Sequence, residues 1–338
     1  MSMVGPADGG DRRDFLAEVA WLHHEHHLTQ DEIARRFDVS RSTISRALAD
    51  AERQGIVQVV VTVPIRRESR LAADLAARLG VAASVGVRVG TESSAAAAAR
   101  AAARLVERVG DAGGATLAVS WGRTLATMAG MVRPRATTAV RVVDAVGHAG
   151  GERMTPAVEV TRTLAAALGA SVVHLPSPAF VAAGSSYDAL AASEPIVRAL
   201  GIARAADITL VSIGVAGEES QLHVEGLVDG PAMAHLVAAG AAGETLARWY
   251  DAAGGEVAAP GLTTVGLSLA DLRASRRVVA VAGGVEKTTA LRAAIAGGLV
   301  HEIVIDDSLA EALLAEGAWP ASRDAAPAPT ITHRGGAR

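Results

Sequence analysis

The pattern of apolar and polar positions predicts two short helices between residues 28 and 55. Apolar residues recur at helical spacing from 33 to 37 and again from 44 to 48. Thr29 and Glu32 have the three-residue spacing of a capping box at the start of the first helix. Ser40 can cap the second helix, and Gly55 ends it. Because the turn between the two helices is short, the pattern indicates a helix-turn-helix.

The outward face of the second helix carries arginine, serine and threonine, which suit contacts with DNA. In a helix-turn-helix the second helix lies in the major groove, where arginine can fork onto guanine and hydroxyls can reach phosphates or bases. The alternative is an ordinary helical hairpin with a polar face. The DNA-binding candidates are Thr29, Gln30, Ser40, Arg41, Ser42, Thr43, Ser45 and Arg46.

A helix over residues 14–26 is expected to brace this pair. His23 and His27 have the i, i+4 spacing of metal ligands, but histidine is also common at a polar helix end, and no metal site is assigned. An apolar β run over residues 56–63 can form a small wing. Residues 1–10 are expected to be disordered, and the DNA-binding domain spans residues 11–64.

Beyond residue 65 the pattern alternates between apolar strands and helices. A linker helix over residues 66–79 carries a leucine stripe that can cover either the next domain or another subunit. Continuous apolar strands that alternate with helices predict a mostly parallel sheet covered on both faces. Residues 321–338 are expected to form a flexible tail. Strands are predicted at 85–89, 115–120, 140–146, 171–175, 208–213, 278–282 and 303–305, and helices at 93–109, from about 124, at 155–168, 187–200 and 286–296, and after 305.

In such sheets a ligand binds beyond the carboxyl ends of the strands, so the loops there hold the candidate residues. The loop from Ser120 to Thr124 leads into a helix N-terminus and can bind an anion, although it can also be a simple capped turn. It matches neither a Walker loop nor a dinucleotide fingerprint, and no cofactor is predicted. Glu244 can hold sugar hydroxyls or be a solvated residue at a helix start. The effector-binding candidates are Ser120, Trp121, Gly122, Arg123, Thr124, Asp144, Gly214, Glu244 and Lys287.

Composition sharpens this picture in three ways. The net charge of −4 does not favour DNA, but four arginines against Asp38 between residues 35 and 46 give a local charge of +3. One copy of so small a patch binds DNA weakly, so paired subunits are expected. The chain has no cysteine, which fits a reducing cytoplasm, and no apolar run is long enough to span a bilayer. Lys287 is the single lysine beside 31 arginines, which draws attention to its glycine-rich loop.

Several blocks in order resemble the SorC family of bacterial transcriptional regulators, also called the SorC/DeoR sugar-binding type. They include LTQDEIARRFDVSRSTISRALADAERQGIV, LAVSWGRTL, GAAGETLARWYDAAG and VVAVAGGVEKTTALRAAIAGGLVHEIVIDD, and the similarity runs from Trp21 to Leu314. The resemblance implies a DNA-binding domain followed by a Rossmann-like, doubly wound α/β effector domain of the sugar-phosphate isomerase type, over residues 65–320. It also implies a tetramer, operator DNA as partner, and a sugar or sugar phosphate as effector.

The resemblance also implies roles for individual residues. In members with phosphorylated effectors, the loop matching Gly122–Thr124 grips phosphate with help from the lysine matching Lys287, and the acid matching Glu244 meets hydroxyls. This chain departs from the family pattern in having Arg123-Thr124 where some members have two hydroxyl residues, Glu244 where many have aspartate, and Asp144 near the end of a strand that usually bears glutamine. An acid at Asp144 would welcome hydroxyls or an amine and repel phosphate.

The prediction from the sequence is therefore a cytoplasmic transcriptional regulator of a carbohydrate or polyol catabolic operon, working as a dimer or tetramer without a membrane partner. The alternative is a sugar-phosphate isomerase or deaminase-like enzyme with an appended DNA-binding domain. The sequence supplies no readable set of nucleophile, base and orienting residue, and the DNA-binding unit favours sensing over turnover.

Overall fold

The computed structural model describes residues 9–57, 65–135, 139–150, 156–182 and 184–315. Contacts divide the chain into two compact units, residues 1–63 and residues 64–338. Among the described residues, no helix is long and apolar enough to cross a membrane. The predicted wing beyond residue 57, the tail at 321–338 and the first eight residues lie outside the described part of the chain.

The N-terminal unit is a three-helix structure of α1 (Gly9–His24), α2 (Gln30–Phe37) and α3 (Arg41–Arg53). Its core contains Leu16, Val19, Ile33 and Ile44, so the predicted apolar faces do meet. Helix α1 begins at Gly9, which corrects the prediction of disorder through residue 10, and it ends two residues before the predicted boundary.

The C-terminal unit is built on a seven-stranded parallel sheet with the order β1-β12-β11-β6-β2-β3-β4. Its strands are β1 (Ala82–Gly86), β2 (Thr116–Val119), β3 (Arg141–Asp144), β4 (Ser171–Val173), β6 (Ile208–Ser212), β11 (Val278–Ala282) and β12 (Glu302–Asp306). The helices are α4 (Arg66–Leu79), α5 (Ser94–Ala112), α6 (Arg123–Met131), α7 (Ala157–Leu168), α8 (Ser185–Ala191), α9 (Glu194–Arg204), α10 (Gln221–Val224), α11 (Gly230–Ala238), α12 (Leu269–Ala274), α13 (Thr288–Ala296) and α14 (Asp307–Ala315).

Both faces of the sheet are buried, as the continuous apolar strands predict. Val279 and Val281 of β11 pack with α5, α6 and α7, whereas Val278 and Ala280 of the same strand pack with the cluster on the opposite face. The linker helix α4 buries Leu75 and Leu79 against its own unit. Its Glu68, 3% exposed, is bonded at 3.1 Å to Arg104 of α5. Leu75 and Leu79 therefore confirm the first alternative, in which the leucine stripe covers the next domain.

Two small antiparallel sheets were not predicted. Strands β7 (Ala241–Thr245), β8 (Arg248–Asp251) and β9 (Glu256–Val257) form one, and β5 (Phe180–Ala182) with β10 (Leu262–Thr264) forms the other. The alternative that placed Glu244 at a helix start is therefore wrong, because the residue lies within β7.

Two other predicted elements need correction. The helix predicted at 187–200 is split between α8 and α9, because Ser193 starts a new helix whose first turn contains proline. The strand predicted at 85–89 lies at Ala82–Gly86, because these five residues are the ones that pair with β12, from Glu302 to Asp306.

Candidate functional site

The start of α3 has the geometry expected of a DNA-reading helix. Ser40 caps it by accepting a hydrogen bond from the Thr43 N–H at 3.2 Å, and Asp38 turns the chain in the left-handed conformation. Arg41, Ser42, Ser45 and Arg46 are exposed, and Thr43 is half-buried.

The hydroxyl of Thr29, directly before α2, is engaged in capping that helix. Thr29 forms the predicted capping box with Glu32, so its hydroxyl is already used in the absence of DNA, and Gln30 is half-buried.

His23 and His27 do not share a helix face, because α1 ends at His24, and His23 Nδ1 lies 2.9 Å from the Leu28 carbonyl oxygen.

The chain reverses its direction across the sheet between β2 and β6. From β2 it proceeds through β3 to β4 at one edge, returns to β6 on the other side of β2, and then proceeds through β11 to β12. Open α/β sheets bind ligands at such a switch point, beyond the carboxyl ends of the strands. The loops that begin at Ser120 and Ile213 therefore hold the candidate site.

The loop after β2 makes a close turn against β6. Gly122 has φ +130° and ψ 147°, and a Cβ there would lie 2.7 Å from Ser212 Oγ. Ser212 in turn donates a hydrogen bond to the Trp121 carbonyl at 2.8 Å. Helix α6 then begins at Arg123 without a side-chain cap, so its first N–H groups and positive dipole end are available to an anion.

The strand β7 brings Glu244 to the loop after β6. Gly214 and Glu244 exchange backbone hydrogen bonds of 2.8 and 2.9 Å, and a Cβ on Gly214 would collide with the Glu244 carboxylate. That carboxylate accepts a hydrogen bond of 2.6 Å from the Ala247 N–H. The hairpin thus places a carboxyl group, 6% exposed, at the switch point.

Burial dominates the electrostatics of this group. It raises the pKa of Glu244 to about 7, against the opposing effects of the Ala247 N–H and the Lys287 ammonium. Burial also lowers the pKa of Lys287, while Glu286, Glu244 and Glu219 raise it and Arg123 lowers it further. Neither Arg123 nor Lys287 makes a side-chain ion pair or hydrogen bond with the described residues. Arg123 opens α6 and Lys287 directly precedes α13, so each cation lies at a helix N-terminus, where an anion can be held.

Asp144 and Ser120 are fully buried at the ends of neighbouring strands. Asp144 Oδ2 lies 3.0 Å from His174 Nδ1 and accepts a hydrogen bond of 3.0 Å from the Leu175 N–H. The sequence-predicted candidates therefore form two groups. Gly122, Arg123, Gly214, Glu244 and Lys287 lie around the loops after β2 and β6, with Trp121 buried and Thr124 half-buried beside them. Ser120 and Asp144 are buried at the ends of β2 and β3.

Sequence reasoning missed several residues around this site. A cavity of about 380 Å³ beside β7 and α13 is lined by Glu218, Glu219 and Glu286 together with Ala241 and Ala290. Its volume suits a small ligand. His174 was missed, because it acts through the fold and belongs to no recognisable motif, and no role was assigned to Ser212. The available signal for the role of Ser212 was Gly122 in the loop after β2, because the close turn at this glycine packs against the Ser212 side chain.

Comparison with known proteins gives the same division of the chain. The family model described as "Putative sugar-binding domain" matches residues 63–315, and the MarR family model matches residues 19–68. The chain is 27% identical over 309 residues to the deoxyribonucleoside regulator of Bacillus subtilis, covering 90% of this chain and 98% of that protein. It is 26% identical over 313 residues to the erythritol catabolism regulatory protein EryD of Brucella abortus, covering 90% and 98%.

Among solved structures, the full-length sorbitol operon regulator SorC of Klebsiella pneumoniae superimposes with a TM-score of 0.75. It is 25% identical, and the match covers 91% of this chain and 100% of that one. The family model spans most of the chain, and the relatives named here are transcriptional regulators matched over almost their whole length. This protein belongs to the SorC family of DNA-binding transcriptional regulators with a C-terminal sugar-binding domain.

Proposed function

We propose that this protein regulates a carbohydrate or polyol catabolic operon, and that a sugar or sugar phosphate bound at the switch point controls its affinity for operator DNA. The observation that carries the proposal is the presence, in one chain, of an arginine-bearing recognition helix and a site with two unpaired cations beside a buried carboxyl group. The relatives concerned with deoxyribonucleosides, erythritol and sorbitol support a small polyhydroxylated effector.

The proposed site divides the effector between two kinds of contact. Arg123, Lys287 and the N-terminus of α6 would bind an anionic group such as a phosphate. Glu244 would bind hydroxyls, and with a pKa of about 7 it can act as either donor or acceptor near neutral pH. The roles of the individual residues belong to the proposal.

The proposed regulator works in the cytoplasm as a dimer or tetramer. The recognition helix offers few cationic side chains, so two copies on successive half-sites are needed for tight binding. Effector binding would change the relative orientation of the subunits and hence the spacing of their recognition helices. Coupling of this kind typically changes affinity about 5- to 150-fold.

A thermal-shift screen tests the effector site. The probes are erythritol, 2-deoxyribose, ribose and sorbitol, each paired with its terminal phosphate ester. A ligand at a hundredfold excess over its Kd stabilises the native state by about 2.7 kcal/mol, which raises Tm clearly. We expect at least one probe to raise Tm without being converted. Conversion of a probe into product, followed by NMR, would instead support an isomerase or deaminase-like enzyme.

A further inference from the structure

Two adjacent carboxylates lie at the end of β12 and the start of α14. Asp306 has no exposed surface, and Asp307 is 5% exposed. Asp306 Oδ1 accepts a hydrogen bond of 2.9 Å from the Gly284 N–H, and its Oδ2 accepts from the N–H and the hydroxyl of Ser308. Leaving a buried carboxylate without its partners is costly, so the groups that satisfy it tend to move together with it.

Asp306 holds the loop that carries Lys287. This loop follows β11, and a Cβ on Gly283 would lie 2.4 Å from the Ser94 carbonyl oxygen, so its start packs closely against α5. The Lys287 N–H donates a hydrogen bond of 3.1 Å to the Gly284 carbonyl, which closes the turn. An anion bound by Lys287 therefore acts on a turn whose Gly284 amide is fixed to Asp306.

Asp307 holds the linker helix α4. Its Oδ2 lies 3.2 Å from Arg67 Nη2 in the first turn of that helix, and its Oδ1 accepts a hydrogen bond of 3.0 Å from Arg88 Nε. Arg88 Nε also lies 3.8 Å from Asp306 Oδ2, so one guanidinium faces both carboxylates. Arg67 has a second partner in Glu311 of α14, at 2.8 Å. Because Asp306 and Asp307 are neighbours in the chain, the loop and the helix are attached to the same short segment.

The first turn of α4 follows the boundary between the two units. Contacts divide the chain between residues 63 and 64, and α4 begins at Arg66. Glu68 of the same turn is bonded to Arg104 of α5 and accepts a hydrogen bond of 3.4 Å from the Val87 N–H. A displacement of this turn therefore moves the point at which the C-terminal unit is joined to the DNA-binding unit.

We propose that the Asp306–Asp307 pair couples the effector site to the linker helix, and that Arg67 is the positioning residue through which α4 follows the pair. This inference rests on the proposed function and describes how the effector site is connected to its output. An effector group held by Lys287 shifts the turn after β11, and Asp306 follows because it is bonded to that turn. Arg67 follows because its partner is the adjacent carboxylate. Coupling requires one structural element that both sites bias, and the Asp306–Asp307 segment is that element.

The test measures how strongly an effector changes operator binding after the contact between Arg67 and Asp307 is removed. The probes are erythritol, 2-deoxyribose, ribose and sorbitol with their terminal phosphate esters, and the operator is a labelled fragment selected from random DNA. In the wild type, a saturating probe should change the operator Kd at least about fivefold. In Arg67→Met that ratio should fall towards one, while calorimetry without DNA should show that the probe still binds.

Controls separate coupling from general stability and charge. Arg70 lies on the same helix, has a side chain that is 83% exposed and is paired with Asp74 of α4, so Arg70→Met makes the same change in charge and should keep the wild-type ratio. Arg67→Lys retains a cation and should restore part of the ratio. A purely structural arginine would change the two affinities without changing the ratio.

A second variant breaks the same contact from the other side. Asp307→Asn keeps the shape of the side chain but removes the charge that Arg67 faces, so it should also lower the ratio. The Arg67 side chain is 54% exposed, and Arg88 still faces Asp307 in Arg67→Met. Either variant therefore keeps the test decisive if the other fails to fold.

Three results would overturn the inference, and they are distinguishable. If Arg67→Met and Asp307→Asn both keep the wild-type ratio, the pair does not carry the coupling, while the proposed function stands. If both variants lose probe binding itself, these residues act on the site and not on its connection to α4. If no probe changes the operator Kd of the wild type, the proposed regulation is wrong and the inference falls with it.

Discussion

Replacing Glu244 with glutamine should remove a pH-dependent part of the stability of the C-terminal unit. Burial raises the pKa of this carboxyl group from 4.5 to about 7, and the group is only 6% exposed. Between those two values the folded protein holds a proton that the unfolded chain releases. The contribution to the free energy of unfolding is therefore complete below pH 4.5 and is lost as the pH rises through 7.

The size of the effect follows from the shift in pKa. One unit corresponds to about 1.4 kcal/mol, so this carboxyl should cost the wild type about 3 kcal/mol of stability between acid and neutral pH. Glutamine cannot ionise, and its amide oxygen can still accept the Ala247 hydrogen bond. Tyr250 also faces Glu244, but burial raises its pKa well above 10, so it stays neutral throughout. Lys287 is the cation that acts on the group.

The assay is urea denaturation at pH 5, 6, 7 and 8. The stability of Glu244→Gln relative to the wild type should increase by about 2.5 kcal/mol across that range, because part of the full change lies below pH 5. Glu218→Gln, on the wall of the neighbouring cavity and exposed, is the matched control and should follow the wild type. Equal pH dependence in the wild type and Glu244→Gln would refute the assignment of a raised pKa to this buried carboxyl group.

Three further predictions concern the two binding surfaces. Arg41→Ala or Arg46→Ala should weaken binding to an operator fragment, selected from random DNA, by roughly 1–3 kcal/mol in fluorescence anisotropy; wild-type affinity in both variants would mean that α3 does not read the major groove. Gly122→Ala should destabilise the fold by roughly 1–3 kcal/mol, because its conformation is essentially restricted to glycine, and should abolish effector-induced thermal shifts. Gly130→Ala, which meets open space, is its control, and unchanged ligand binding in Gly122→Ala would remove this loop from the site. Lys287→Met should weaken a phosphorylated probe far more than its free form, and an equal loss would show that the lysine only shapes the pocket.

Local patterns were sufficient to predict the DNA-binding helices and most of the large sheet. Thr29, Glu32 and Ser40 cap their helices through contacts between residues three apart, so the sequence contains the whole interaction. The strands of the parallel sheet are buried on both faces, and their continuous apolar runs identify them without knowledge of the fold. The order of the strands was not readable, because β1 pairs with β12 from the other end of the chain.

The hairpin that carries Glu244 could not be read from the same rules. Its turn places Leu246 and Ala247 at φ values of 54° and 60°, where glycine, asparagine or aspartate is expected. The signal for a hairpin was therefore missing, and short alanine-rich segments gave no clear period. The turn is held by one local and one tertiary contact: the Ala247 N–H donates to the Glu244 carboxylate within the hairpin, and the Ala247 carbonyl accepts a hydrogen bond from the distant Thr264 hydroxyl.

The effect of an effector on operator binding tests the central claim most directly. The Kd for a labelled operator fragment would be measured by fluorescence anisotropy, with and without the probe that gives the largest rise in Tm. The proposal predicts a change of at least about fivefold, in either direction. A probe that binds the protein, leaves the operator Kd unchanged and is converted to product would contradict it.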